Sequence, residues 1–395
     1  MLDCFCLMRA CVVAAGLLLL LAGCDQNTAS LQETATHTRR PVLATQTAPR
    51  ATAPANAGHP YLRLPGIGDS IQASPLVRIN NTPYRVQAAA RTDSARPLRH
   101  ILPPDPAADS PAADTVTGFE GYYTFRLLRA DGTTQFVRQL KKTSFSAAVS
   151  PDLAVEAETT PPIFSGYLPA FKALAFEINF YPPESDAGGQ ALLLLDAATG
   201  KVRHQALARW TGGCNSNSVL AADGRTLLTS CELLQANGHV TNLEKPGREV
   251  AGTLLVNNQT ALVVYAAGYN KHGEEVPLRG PNAQLLTTDG HVLKSFYLYS
   301  IDGGLGNHML STYLPRTRAH YLYDETYDRL AVVPRDQPTQ LRVLKLRQLP
   351  RFRKPQRPTE IRFAFETESG TRATFYVDAS SGQVRYQLRK PVYPD

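Results

Sequence analysis

Ala191-Leu192-Leu193-Leu194-Leu195-Asp196-Ala197-Ala198-Thr199-Gly200-Lys201-Val202 decides the fold class of this 395-residue chain. An apolar strand runs into a polar turn with Gly at its end, and Val202 returns the chain to a sheet. Glycine supplies the positive φ that such a turn requires. The same grammar recurs along the sequence. Residues 122–128 lead into Ala130-Asp131-Gly132-Thr133, residues 231–234 into Gln235-Ala236-Asn237-Gly238, residues 283–286 into Thr287-Thr288-Asp289-Gly290, and residues 375–377 into Asp378-Ala379-Ser380-Ser381-Gly382. A second kind of hairpin lies between these, around Asp223-Gly224, around Asn257-Asn258-Gln259, and around 324–328. No capped, apolar-periodic stretch of helical length stands out after residue 24, and residues 167–180 lean to strand. The chain reads as all-β, built of antiparallel hairpin repeats.

The turn glycines 200, 238, 290 and 382 are separated by 38, 52 and 92 positions, and 92 is two steps of 46. The skipped step falls near 342–349, a strand-like run with no Gly turn before it. Alternating hairpins at this spacing resemble the four-stranded blades of a β-propeller, and the resemblance covers 171–390, about five or more blades. No WD or kelch signature repeats, and a β-sandwich or meander sheet would produce the same turns. Residues 60–181 form an N-terminal β region and 182–395 the hairpin-repeat region; whether the two are continuous stays open.

The N-terminus carries a separate signal. Residues 12–21 are apolar and end at Leu21-Ala22-Gly23-Cys24, which resembles the lipobox of bacterial lipoproteins. The resemblance implies a signal peptide over 1–23, lipid attachment at Cys24, and a mature chain of 395 − 23 = 372 residues facing the periplasm or cell exterior. The apolar core is too short for a permanent span, which needs about 20 residues, and Met8-Arg9 makes a better-formed start than Met1. Two or three acyl chains on one residue anchor a protein stably where one chain does not. Asp25 resembles the inner-membrane retention signal of enterobacterial lipoproteins. Residues 24–59, rich in Thr, Ala and Pro, read as a flexible tether. Of the six cysteines, only Cys214 and Cys231 would survive in the exported body, 17 positions apart and flanking the Asp223-Gly224 hairpin, which predicts a disulfide.

A search for chemistry returns little. Gly68-Asp69-Ser70-Ile71 resembles the nucleophile block of SGNH hydrolases, but the chain has no Asp-x-x-His to supply a base for Ser70. No nucleophile elbow, His-Glu-x-x-His or Walker loop occurs. The glycine-rich loop Asp302-Gly303-Gly304-Leu305-Gly306-Asn307-His308 is a possible ligand loop through Asp302, Asn307 and His308, with too few carboxylates for tight Ca²⁺ binding. Asp324, Glu325 and Asp328 read as formers of a solvated turn, and Trp210 as a core residue. No metal or cofactor is expected.

Charge is the remaining signal. The net charge is +7, and residues 337–359 alone hold seven cations and no acid: Arg342, Lys345, Arg347, Arg351, Arg353, Lys354 and Arg357. Leu344 and Leu346 alternate with Lys345 and Arg347 as in a strand with one basic face, followed by an exposed basic loop over 349–355. Outside the cytoplasm such a segment suits acidic glycan or lipid head groups, with no nucleic acid, and Arg351, Arg353, Lys354 and Arg357 are the predicted anionic-surface contacts. Together these features predict a membrane-anchored extracytoplasmic lipoprotein acting as a non-catalytic binding or scaffold protein of an envelope complex. The alternative is a propeller-type carbohydrate-active or other hydrolase with dispersed catalytic residues.

Overall fold

The structure is a computed structural model that describes residues 59–64, 75–102, 114–185, 188–210, 218–269, 275–299, 301–302, 308–353 and 357–391. The lipobox, Cys24, the tether and Ser70 lie outside the described residues. The body is all-β: among the described residues six antiparallel sheets of three or more strands follow one another along the chain, with a two-stranded ribbon, Ile301–Asp302 and His308–Met309, between the fourth and fifth. The first holds Leu76–Ile79, Thr82–Ile101, Thr115–Arg129 and Thr134–Lys141; the second holds Ile163–Leu168, Ala173–Phe180, Gly189–Asp196 and Val202–Trp210. The third contains Val219–Ala221, Thr226–Leu228, Glu232–Gln235 and Val240–Asn242, and the fourth Arg248–Asn257, Thr260–Tyr269, Ala283–Thr287 and Val292–Phe296. The fifth is Ser311–Leu314, Ala319–Asp324, Arg329–Pro334 and Arg342–Lys345. The sixth has three strands, Glu360–Glu366, Arg372–Asp378 and Val384–Arg389.

The opening stretch shows how the sheets stack. Side chains alternate between the two faces of a strand, and residues 189–195 of Gly189–Asp196 are buried on both. Ala191, Leu193 and Leu195 pack with Phe125, Leu127 and Phe136 of the first sheet. Leu192 and Leu194 pack with Leu220, Leu227 and Leu234 of the third. The pattern repeats outward: further apolar layers join third to fourth, fourth to fifth, and fifth to sixth sheets. Each neighbouring pair is a small sandwich, and interior sheets serve two sandwiches at once. Among the described residues no apolar cluster joins the sixth sheet to the first. Their outward faces carry exposed arginines, Arg85, Arg91 and Arg126 on one and Arg362, Arg372 and Arg389 on the other.

The turn grammar falls on the last hairpin of each sheet. Gly132, Gly200, Gly238, Gly290 and Gly382 all have positive φ. At the second-sheet turn Asp196 Oδ1 accepts from the amides of Ala198 and Thr199, and Arg203 lies against the other carboxylate oxygen at 2.5 Å; these bonds hold Asp196 down at about 2. In the fifth sheet the same hairpin is closed by a longer connection with a 3-10 turn, Pro338–Gln340, and no glycine. That substitution accounts for the doubled step of 92.

Within the N-terminal β region the strand that opens at Thr82 runs on to Ile101, forming with Thr115–Arg129 a long ribbon whose ends close by Leu102 N donating to Asp114 O. A six-residue helix, Pro151–Glu156, capped by Ser150, packs under it. The second sheet crosses position 181, since Ala173–Phe180 pairs with Gly189–Asp196. The N-terminal strand Tyr61–Arg63 pairs with Val219–Ala221 of the third sheet. Tyr61 packs on the layers between third, fourth and fifth sheets, 6.5 Å from the buried His320 ring, and His59 lies 5.4 Å from Tyr313. The chain therefore enters its body in the middle of the stack.

Candidate functional site

The fifth and sixth sheets enclose a cleft of about 650 Å³. Leu346, Leu349 and Leu388 supply its apolar part, and Arg329, Lys345, Arg347 and Arg351 its charge. Asp328 is the single carboxylate among the lining residues. None of the four cations has an ion-pair partner within 4 Å among the described residues. Three chain segments bring them together. Arg329 opens a strand of the fifth sheet, and its guanidinium lies 4.6 Å from the centre of the Tyr327 ring. Lys345 ends the neighbouring strand and is the register partner of Arg329. Like charges directly opposite on adjacent strands cost a few tenths to about 1 kcal/mol. On its other side Arg329 faces Asp324 in register, but that carboxylate accepts from the amides of Tyr327 and Tyr299.

The basic segment after the fifth sheet is exposed at Pro350, Arg351 and Arg353, as expected, but it is tied to the sixth sheet. Leu346–Gln348 forms a 3-10 turn, which buries Leu346 and leaves Arg347 exposed, so the strand stops at Lys345. Residues 350–352 then lie alongside Val384–Arg389: Phe352 N donates to Tyr386 O at 2.7 Å and Tyr386 N donates to Pro350 O. Phe352 stacks on Tyr376 at 3.8 Å, with Arg385 at 5.1 Å from its ring centre. The aromatic pins the segment to the sheet and fixes Arg351 at the cleft. Arg385 is itself held by two bonds to the covered carboxylate of Glu360, which is pulled below the usual carboxylate range chiefly by that side-chain hydrogen bond.

Of the predicted anion contacts, Arg351 lines the cleft. Arg353 is exposed away from it, with its carbonyl accepting from Arg385, and Arg357 sits at the start of the sixth sheet with its amide on Glu360. Lys354 lies outside the described residues. Arg329 was missed because it belongs to another hairpin, and only the register brings it beside Lys345. The acids of residues 324–328 are not a simple solvated turn: Asp324 is fully buried, which pushes its carboxyl up, and Glu325 accepts from the hydroxyls of Ser369 and Thr367 in the sixth sheet.

The other candidates lie elsewhere or fall outside the described residues. Asp302 and His308 are register partners in a two-residue ribbon, and Asn307 lies outside the described residues. Cys231 is buried in the layer between third and fourth sheets; Cys214 lies outside the described residues. Trp210 ends a strand of the second sheet. Among the described residues no group of three His, Cys, Asp or Glu is placed to hold a metal ion, and no helix is long and apolar enough to cross a membrane. A larger cavity of about 1070 Å³ runs beneath the first-sheet ribbon, lined in part by Leu98, Arg99, Lys142 and Glu158. Its buried cation is already occupied: Lys142 Nζ donates to Val155 O at 2.9 Å and Ala157 O at 2.7 Å, and burial pulls its pKa down. The smaller cleft is the better binding candidate because its charges are unspent.

No family model matches this chain, and neither does any curated protein. Among solved structures, a putative 6-phosphogluconolactonase from Bacteroides fragilis is similar at 10% identity, covering 76% of this chain and 84% of that one, with a TM-score of 0.28. KlHsv2 with loop 6CD replaced by a Gly-Ser linker is similar at 8% identity, over 70% and 93% of the two chains, with a TM-score of 0.19. Likeness at these scores carries no argument about fold or activity.

Proposed function

We propose that this chain is a lipoprotein anchored at Cys24 whose β body binds an anionic component of the cell envelope and performs no chemistry on it. The observation that carries this reading is the cleft between fifth and sixth sheets, lined by three leucines and by four cations that have no ion-pair partner among the described residues. Cations gathered along one cleft suit recognition of an anion, and a ligand that pairs with Arg329 and Lys345 offsets the like-charge pairing of their register. The lipobox resemblance supports the anchor, and the tether supplies reach. Cys214 and Cys231 form a disulfide in the exported protein on this reading. Its support is the pairing of Val219 with Leu228, which brings the chain entering that hairpin beside the chain leaving it at Cys231.

Two measurements test the proposal. Mass spectrometry of the protein from membranes is expected to show a diacylglyceryl-modified Cys24; an unmodified N-terminus in the soluble fraction would remove the anchor. Flotation of the purified full chain with anionic and neutral vesicles, and pull-down on acidic glycan, is expected to show salt-sensitive binding to an anionic surface. No preference for any anionic surface would remove the binding role.

A further inference from the structure

We infer that the ligand of the cleft is a phosphate ester, taken one group at a time into a recessed site rather than spread over a flat basic surface. This rests on the reading of the body as an anion-binding protein and adds the chemical class. Three of the four cations are arginines, each a rigid fork of donors, and Lys345 adds a point charge. A planar carboxylate carries one charge and is satisfied by one bidentate arginine. A phosphate monoester carries a charge of about −2 and three acceptor oxygens, so it can use donors converging from several directions. The cations line the cleft from different places: the start of one strand, the end of its neighbour, a 3-10 turn and the pinned segment at Arg351. The charge count agrees, with four cations set against the one carboxylate of Asp328.

The shape of the cleft narrows the class further. Its volume of about 650 Å³ exceeds what a bare phosphate fills and lies within the roughly 300–1,000 Å³ range of small-molecule sites. Leu346, Leu349 and Leu388 would meet the less polar moiety esterified to the phosphate. A sugar phosphate or the phosphate monoester of a phosphatidic acid head group both offer that chemistry. The Tyr327 ring is not free to stack a sugar, because Arg329 covers it at 4.6 Å and Tyr299 lies 5.0 Å away. Recognition therefore rests on the charged oxygens.

The experiment is calorimetric titration of the purified full chain in neutral detergent with glycerol phosphate, glucose phosphate and oligogalacturonate, alongside flotation with phosphatidic acid vesicles. Both soluble phosphate esters are expected to bind, with affinity falling about tenfold or more in Arg347→Gln and in Arg351→Gln. Arg353→Gln, exposed outside the cleft, is expected to bind as the parent does. Near-UV circular dichroism of each variant confirms that the body is folded. Vesicle binding lost in the same two variants identifies a lipid source; soluble esters binding without vesicles identify a free one, and both support the phosphate class. Oligogalacturonate bound while the phosphate esters stay silent overturns that class but leaves the anion-binding role standing. Equal loss in Arg353→Gln and Arg351→Gln overturns the recessed site in favour of a flat surface. A folded chain that binds none of the probes sinks both the class and the role.

Discussion

The second and sixth sheets are made from the same hairpins and do different work. Residues 189–195 of the second are buried on both faces, with neighbours in the first and third sheets. The sixth buries Phe363, Phe365 and Phe375 against the fifth on one face and shows Arg362, Arg372 and Arg389 on the other. A near-continuous apolar run marks a strand covered twice, and alternation, as in the outer strands Glu360–Glu366 and Val384–Arg389 of the sixth sheet, marks one covered once. The interior of the stack is where stability is concentrated. The cleft sits where the stack ends, because a sheet with one polar face can carry charge without burying it unpaired.

Truncation in the two sheets tests that contrast most strongly. Leu193→Ala removes a fully buried side chain from the layer between first and second sheets and is expected to cost about 3–4 kcal/mol in urea unfolding. Phe363→Ala, at a half-buried position in the sixth, is expected to cost about 2 kcal/mol despite losing more atoms. Equal losses would erase the distinction between the two regions.

The turn glycines sharpen it. Gly200 and Gly382 both sit at positive φ, where alanine is strained by about 1–2 kcal/mol. A Cβ on Gly200 would also lie 2.5 Å from the Phe136 ring of the first sheet, whereas on Gly382 the nearest atom is the mobile end of Arg342 at 3.9 Å. Gly200→Ala is therefore expected to destabilise by about 3 kcal/mol and Gly382→Ala by about 1, read as the difference in unfolding midpoint.

A further modest effect is expected from acid. Glu360 in the sixth sheet is held below its ordinary range mainly by Arg385. A carboxylate lowered on folding stabilises above its unfolded pKa, and that stability is lost as pH falls through its folded value. Glu360→Gln is expected to cost about 1–2 kcal/mol at neutral pH, with the gap from the parent closing as pH falls below about 4.5. A gap that stays constant down to acid pH would assign the cost to packing instead.

Much of the local structure is legible in the residues, because it is set by neighbours in sequence. Asp196 caps its own turn, Gly200 takes the φ that the turn needs, and the Gly-less step at 335–341 marks a sheet closed by another device. All-β character, the hairpin positions and their repeat follow from such short-range rules. Other features depend on which segments far apart in the chain become neighbours. Tyr61 pairs with Ala221, a partner 160 positions away, and no pattern around either residue announces it. Asp324 is buried although its sequence reads as a solvated turn, since the amide of Tyr299 reaches it from the connection that follows the fourth sheet. Arg351 was visible as a cation, but its place at a cleft needed Phe352 to find Tyr376 and Arg329 to find Lys345. Periodicity and turn chemistry act over a few residues and determine the sheets; only packing between sheets decides which charges meet, and there the candidate site is made.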